Sequence, residues 1–489
     1  MHESRRRRLL RFQQVFTPPG TPPADTLLIE GAHIAAVGQW KHLCRTESQV
    51  EVFDYSDRFA YPGWIDPHAH FFSLAARIHQ VDLSHASNPE AVTAALRQTH
   101  RKPWIHAVGL PASFLADPHG LQQMLDTMFP HQPVAIETFD AHALWLNRAA
   151  ARASFPGRDL PDVLIFRDRD MESLMERLQQ VNELTLSDLQ AAARRCLSYG
   201  ITTVTEAALR RRQLSLLQQC AAPPLGIDLV AAYTPLTTDE TLPPPLNTPH
   251  LKLHALKLFM DGALTSGGLW NSFTAAGLPS ADGPPFPMDF YRQWVQKAAR
   301  AGWDIWMHAI GDQAVTAAVD LLGPTGSRVR RIEHIQFIKT ADIQRLAEHR
   351  IIPSVQPYHR LTDAPLLRDA AVPAHIQAYA YGCLYAAAPD LLTIGSDFPI
   401  VPPDPLRHLS AAIDPTAEPA CRLPDAAAAV TAMTARAARS LGLHDRGALL
   451  PGFKADIVIY DRPREAMLNV PEARPAAVWK DGQEVVSAV

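Results

Sequence analysis

Along the middle of the chain, apolar and polar positions repeat one local order: a stretch of helical period, a short turn, then a short apolar run. Ser187 and Gln190 have the spacing of a capping box, and Leu189, Ala193, Cys196 and Leu197 fall on one helical face after it. Gly200 stops that helix ahead of the β-branched run Ile201–Glu206. Phe290–Ala301 is a second amphipathic helix, closed by Gly302 and followed by Trp303–His308. Thr340–His349 leads into Ile351–Pro357, and Ile376–Ala388 into Leu391–Asp397. Gly226–Ala232, His254–Phe259 and Arg331–His334 are further strand-like runs. With Trp64–His68 the pattern predicts eight strands, most with a helix before the next. Such alternation means parallel strands with right-handed crossovers, and eight units fit a closed (β/α)8 TIM barrel. An open doubly wound sheet is the competing arrangement, and no glycine fingerprint for a nucleotide supports it.

Both ends of the chain follow a different pattern. Leu27–Val37 reads as two strands around Glu30-Gly31, Ala455–Tyr460 as another, and Val478–Val486 as a hairpin turning at Asp481-Gly482. Neither end can bury a core alone, so the expectation is one small β-sandwich made from both termini, residues 1–61 and 436–489. The barrel domain then spans 62–435. Between His70 and Gly200 lie about 130 residues where a βα unit needs ~30. This predicts an insertion at about 81–186, after the first barrel strand. It holds helix-like stretches (Glu90–His100, Met171–Gln180) and the aromatics Trp104, Phe114, Phe139 and Trp145. An insertion there emerges at the C-terminal face of a barrel, which suits a lid and specificity element; an oligomerisation appendage is the plainer reading.

Composition narrows the class. An apolar content of 47% with 20% charged residues describes a globular protein, and a net charge of −4 gives no reason to expect nucleic acid. No run approaches the ~18 apolar residues of a membrane helix. The basic run Arg5–Arg8 is followed by no long apolar stretch and reads as a solvated arm rather than an export signal. Five scattered cysteines without a Cys-x-x-Cys fit free thiols in a reducing cytoplasm.

The candidate chemistry sits at strand ends. Residues two apart on a strand point the same way, so His68 and His70 in Trp64-Ile65-Asp66-Pro67-His68-Ala69-His70 can reach one metal ion. Alone the pair is weak, since 21 histidines in 489 residues give roughly one His-x-His by chance. His308, His334 and Asp397 also end predicted strands. Any one of them reads as a capping or solvated residue. Together they form the N/O ligand set that zinc and its neighbours prefer. Lys257 shares a strand face with Leu253, Ala255 and Phe259. Buried there it would be a neutral, reactive amine, open to carbamylation into a metal-bridging carboxylate. A lysine snorkelling to the rim, or paired with Glu206 or Asp261, fits the sequence equally well.

The order His68-x-His70, Lys257, His308, His334, Asp397 resembles the metal-dependent amidohydrolase superfamily, and its YtcJ-like and N-substituted formamide deformylase branch in particular. The stretches PGWIDPHAH, FDAHALWLNRAA, GITTVTEA, ALKLFMDGAL, MHAIGDQAV, RIEHIQF, SVQP, TIGSDFPI and PGFKADIVIYD carry the resemblance over roughly residues 27 to 461. It implies one or two divalent ions, zinc foremost. His68 and His70 would bind the more buried ion and His308 and His334 the second, with carbamylated Lys257 bridging and Asp397 completing the site. It also implies His142 and Asp261 as substrate-binding positions. Two departures stand out: Glu206 occupies a place where relatives often have Asp, and Ala263–Gly268 lacks the Arg-Thr-Ala common after Asp261-Gly262.

The expected reaction is hydrolysis of a non-peptide C–N bond, in an amide, formamide or N-acyl compound, by metal-activated hydroxide with Asp397 as general base and acid. A mononuclear deaminase of a cyclic amidine is the alternative, weakened because Asp312 and no Glu follows His308 at a suitable distance. A catalytically silent barrel is the third reading, and none of the six ligand positions is lost as that would require. The aromatics, with Trp270, Phe273, Tyr358 and Tyr379, hint at a small-molecule substrate with an apolar or aryl group, although core packing accounts for them as well. Neither nucleic acid nor membrane is expected as a partner, and a homodimer is allowed.

Overall fold

The computed structural model describes residues 7–46, 50–97, 103–111, 114, 118–138, 143–167, 174–175, 177–178, 181–221, 225–264, 268–273, 281–368 and 371–487. They form two compact units, one of residues 1–71 with 192–489 and the other of residues 72–191.

The first unit contains an eight-stranded parallel barrel. Its strands are β1 (Trp64–Asp66), β2 (Ile201–Leu209), β3 (Asp228–Tyr233), β4 (Leu251–Phe259), β5 (Asp304–Ala309), β6 (Arg330–His334), β7 (Ile352–Val355) and β8 (Thr393–Ile394), hydrogen-bonded in chain order. β8 meets β1 through Asp397 N–H to the His68 carbonyl at 2.7 Å and His70 N–H to the Phe398 carbonyl at 2.9 Å. Strands with both faces covered read as unbroken apolar runs, and β3 and β5 are buried along their whole length. The helices behind them are amphipathic: Met288–Arg300 turns Phe290, Trp294 and Ala298 inward before β5.

The same unit carries a seven-stranded sheet drawn from both ends of the chain. Its order is Gln483–Ser487, Ala477–Lys480, Ile457–Tyr460, Glu51–Pro62, Arg7–Val15, Ala24–Glu30, His33–Gly38. The sheet curls back, so that Ile34 N–H donates to the Phe453 carbonyl and Gly452 N–H to that of Ile34. Leu10, Phe12, Leu27 and Ile29 from one terminus share a core with Ile457, Ile459 and Trp479 from the other. The hairpin turns at Asp481 and Gly482, both with positive φ, as a two-residue primed turn requires.

The second unit has its own five-stranded sheet, ordered Ile165–Arg167, Ala143–Leu146, Val134–Thr138, Ile105–Leu110, Val81–Asp82. Phe114 and Trp145 fill one of its cores and Trp104 another.

Three local expectations change. The helix before β2 spans Leu186–Ser198, but its reciprocal cap is Thr185 with Asp188 rather than Ser187 with Gln190. The arm is not wholly solvated: Arg7–Val15 is a strand because Leu9, Leu10 and Phe12 bury, while Arg8 bonds the Gly482 carbonyl at 2.8 Å. Ile376–Ala388 does not open as a helix. Ile376–Ala378 pairs antiparallel with Phe337–Lys339, and Tyr379 at φ 49° turns the chain into the helix Tyr381–Ala387. Met171–Gln180 and Phe139 lie wholly or partly outside the described residues.

Candidate metal centre

The chain leaves β1 and β8 side by side, held together by a buried carboxylate. Asp66 accepts from the Ser396 hydroxyl at 2.5 Å and from the backbone N–H groups of Ser396 and His68. Burial raises the Asp66 pKa to about 7 against those hydrogen bonds. Past this clamp come His68 and His70 on one side and Asp397 on the other. His68 Nε2 and His70 Nε2 lie 3.3 and 3.1 Å from Asp397 Oδ1. Asp397 takes φ 63°, and at the β6 exit His334 and Ile335 take φ 76° and 51°. Left-handed backbone at non-glycine residues costs about 1–3 kcal/mol each and is concentrated at functional sites.

The other imidazoles close the group. The His334 ring lies 4.8 Å from that of His68 and 4.5 Å from that of His308, between centroids. Two imidazoles are backed by carboxylates on their far side. His68 Nδ1 sits 2.8 Å from Glu333 Oε2, and His308 Nε2 sits 3.4 Å from Asp261 Oδ1 and 3.2 Å from the Gly262 carbonyl. A carboxylate behind an imidazole fixes ring orientation and tautomer in metal sites. Glu333 is fixed in turn by fully buried Arg331, 2.7 Å away, which also donates to the Pro67 carbonyl and stacks over Trp306.

Charge is distributed unevenly across these groups. Burial alone would raise Asp397, but hydrogen bonds from His68 and His70 hold it well below the ordinary carboxylate range. Burial disfavours a charge on His70, yet Asp397 outweighs it and raises the pKa. His334 is pushed well below its usual value by burial and then by His308. Lys257 is fully buried on β4, and burial lowers its pKa to about 8 against the pull of Glu333 and Asp397. Its Nζ lies 5.1 Å from the centre of the Phe259 ring, which in turn lies 5.2 Å from that of His308, between centroids. The barrel therefore brings His68, His70, Lys257, His308, His334 and Asp397 together.

Other expected positions divide. Asp261 accepts from the backbone N–H groups of Ile310 and Gly311 at 3.0 and 2.7 Å, so it holds the loop after β5 and, through it, His308. His142 lies outside the described residues. Glu206, near the end of β2, pairs with His70 through an isolated backbone β-bridge. Two site residues escape a reading of strand ends. Glu333 shares a strand face with Arg331, and that i, i+2 charge pair was its signal. His359 stands on the helix Pro357–Leu367 after β7, where its Nε2 is 3.7 Å from Asp397 Oδ2.

The residues fit a divalent cation. His68, His70 and Asp397 offer donor atoms within 4.8 Å of one another, as do His334, His359 and Asp397. His334 Nδ1, His359 Nε2 and Lys257 Nζ are buried with no hydrogen-bond partner. Leaving such an atom unsatisfied costs about 1–3 kcal/mol, which a bound cation would recover. A barrel with metal-ready imidazoles at the C-terminal ends of its strands has the build of a metal-dependent active site.

Comparison with known proteins gives the family. Residues 51–486 match the amidohydrolase family model, and the chain belongs to that family. The putative amidohydrolase YtcJ of Bacillus subtilis (strain 168) is 25% identical over 425 residues, 80% of each chain. The crystal structure of an uncharacterized metal-dependent hydrolase from Pyrococcus furiosus superposes with a TM-score of 0.81 at 22% identity, covering 94% of this chain and 99% of that one. Atrazine chlorohydrolase TrzN from Arthrobacter aurescens TC1, crystallised with zinc, gives 0.55 at 15% identity over 98% and 95% of the two chains.

Proposed function

We propose that this hydrolase cleaves the C–N bond of a small amide, formamide or N-acyl compound, with Asp397 as the group that moves the proton. The observation that carries the reading is the placement of Asp397, whose Oδ1 faces His68 and His70 while Oδ2 faces His359. His68 and His70 would hold a first cation and His308 and His334 a second. Lys257, buried with an amine that has no hydrogen-bond partner, would bridge them as a carbamate. Zinc suits this donor set and is the metal in the TrzN crystals. Bound there, a divalent cation supplies Lewis acidity and acidifies water.

The chain's own residues do the rest. Hydrogen bonds from His68 and His70 hold the Asp397 pKa well below the ordinary carboxylate range, which favours its ionised form. Asp397 takes a proton from the attacking water as the new C–O bond forms, and returns it to the amine as the C–N bond breaks. Glu333 and Asp261 keep His68 and His308 oriented. A deaminase using an acid after His308 finds less support, because Asp312 accepts from Ser272 through both oxygens. The substrate we favour is a small molecule with an apolar or aryl group, hydrolysed in the cytoplasm.

The test is elemental analysis of purified protein, then a panel of N-formyl and N-acyl amines assayed for released amine. Two ions per chain, fewer in Lys257→Ala, together with amine release, is the expected result. A metal-free active protein, or release from cyclic amidines alone, overturns the reading.

A further inference from the structure

His359 is an imidazole more than the ligand set requires, and its surroundings single it out. The residue is buried, its Nε2 finds no hydrogen-bond partner, and that nitrogen points at Asp397 Oδ2 across 3.7 Å, too far for a hydrogen bond. Asp397 Oδ1 is already engaged by His68 and His70, so its two oxygens face different groups. The His334 and His359 rings are nearly parallel, 6.1 Å apart.

The helix under His359 is fixed at several points. Pro357 occupies its first turn, where a missing N–H costs nothing. One turn beyond His359, buried Asp363 accepts from the Gln336 amide at 2.6 Å and the Tyr379 hydroxyl at 2.8 Å. On the outer side Arg360 pairs with Asp414 at 2.6 Å. Gln336 follows His334 by two residues, so the anchor runs to the β6 exit that carries a metal-ready imidazole. Such anchoring of a side chain with no partner of its own is preorganisation for a ligand.

We infer that His359 is a substrate-facing residue whose Nε2 donates to the acyl oxygen of the substrate, the atom that gains charge when water adds. Asp363, Gln336 and Tyr379 are positioning residues for it. This rests on the acyl hydrolase reading above for the reaction, but the recognition of an acyl or carboxylate oxygen stands separately. A carboxylate product presents the same oxygen, so acetate and formate are direct probes.

The experiment is calorimetric titration of the metal-loaded protein with acetate and formate, for wild type, His359→Leu and His359→Gln, with metal content measured on each sample. Gln places an N–H donor near the lost Nε2. Expected are unchanged metal content in all three, carboxylate binding weakened about tenfold or more in the Leu variant, and recovery in the Gln variant. Equal affinity in His359→Leu, or no carboxylate binding by the wild type, overturns the inference. So does loss of metal in either variant, which would make His359 a cation ligand instead. A wild type that binds acetate through His359 yet releases amine from no acyl compound sinks the proposed reaction and leaves this residue's role standing.

Discussion

A β-carbon on Gly395 would lie 2.6 Å from the His68 β-carbon and 2.8 Å from its backbone nitrogen. β1 and β8 can approach only because that position is bare, and the approach sets His68 against Asp397. Gly395→Ala should therefore leave the barrel folded but weaken metal retention at least tenfold, read by competition with a chelator of known affinity. Asp397→Asn should keep metal and lose about 10²–10⁴-fold in turnover of any substrate the panel yields; turnover near wild type would end its assignment as proton carrier. Glu333 makes a different kind of contribution. Removing its charge in Glu333→Gln takes from buried Arg331 the carboxylate it pairs with, at a cost of about 3–5 kcal/mol measured by urea unfolding. At this scale the sequence was readable where chemistry sat at strand ends. His68, His308, His334 and Asp397 follow apolar runs, and period-two alternation aims them. His359 was not readable, because a histidine in a helix after a proline looks like any half-buried helical residue.

Among elements, one join between barrel and terminal sheet is electrostatic. Asp228 at the start of β3 meets Arg446, Lys480 at 3.1 Å and His250 at 2.8 Å, while Lys480 also reaches Asp456 and Asp481. Donor atoms of Asp228, His250 and Asp481 are close enough for a cation, but the three basic side chains Arg446, Lys454 and Lys480 already neutralise the place. Burial would raise the Asp228 pKa, yet Lys480, His250 and Arg446 outweigh it and hold it well below the ordinary value. A depressed carboxylate stabilises the folded state fully above its unfolded pKa of about 3.9, and that contribution is lost as pH falls further. Unfolding free energy measured from pH 5 down to 2 should fall steeply in the wild type and more gently in Asp228→Asn, from a lower starting value. The strands joined here were legible in part. The Asp481-Gly482 turn announced its hairpin, whereas Glu51–Pro62, whose exposed half alternates with charges, gave no comparable signal. The sheet inside residues 72–191 was also missed, since strands such as Val81–Asp82 and Ile165–Arg167 are too short to establish a period.

For the whole molecule, metal and fold are linked by mass action. A cation that binds only the folded barrel stabilises it by about 4 kcal/mol when free metal stands a thousandfold above Kd. Chelation should lower the thermal midpoint and abolish activity, and one equivalent of zinc per vacant position should restore both; a midpoint indifferent to chelator would place the ions outside the structural core. Among the described residues no helix is long and apolar enough to cross a membrane. The barrel was the most legible feature because its βα grammar repeats.

The sheet shared by both termini sets a clock on biosynthesis. Tyr61 bonds the carbonyl of Arg462, 401 positions later, and Ala60, Tyr61 and Pro62 ladder with Ile459, Val458 and Ile457. At roughly 5–20 residues per second, a ribosome needs on the order of 20–80 s to cover that separation. For all that time the nascent chain carries an unfinished, partly apolar edge. It is shielded only when the last strands emerge.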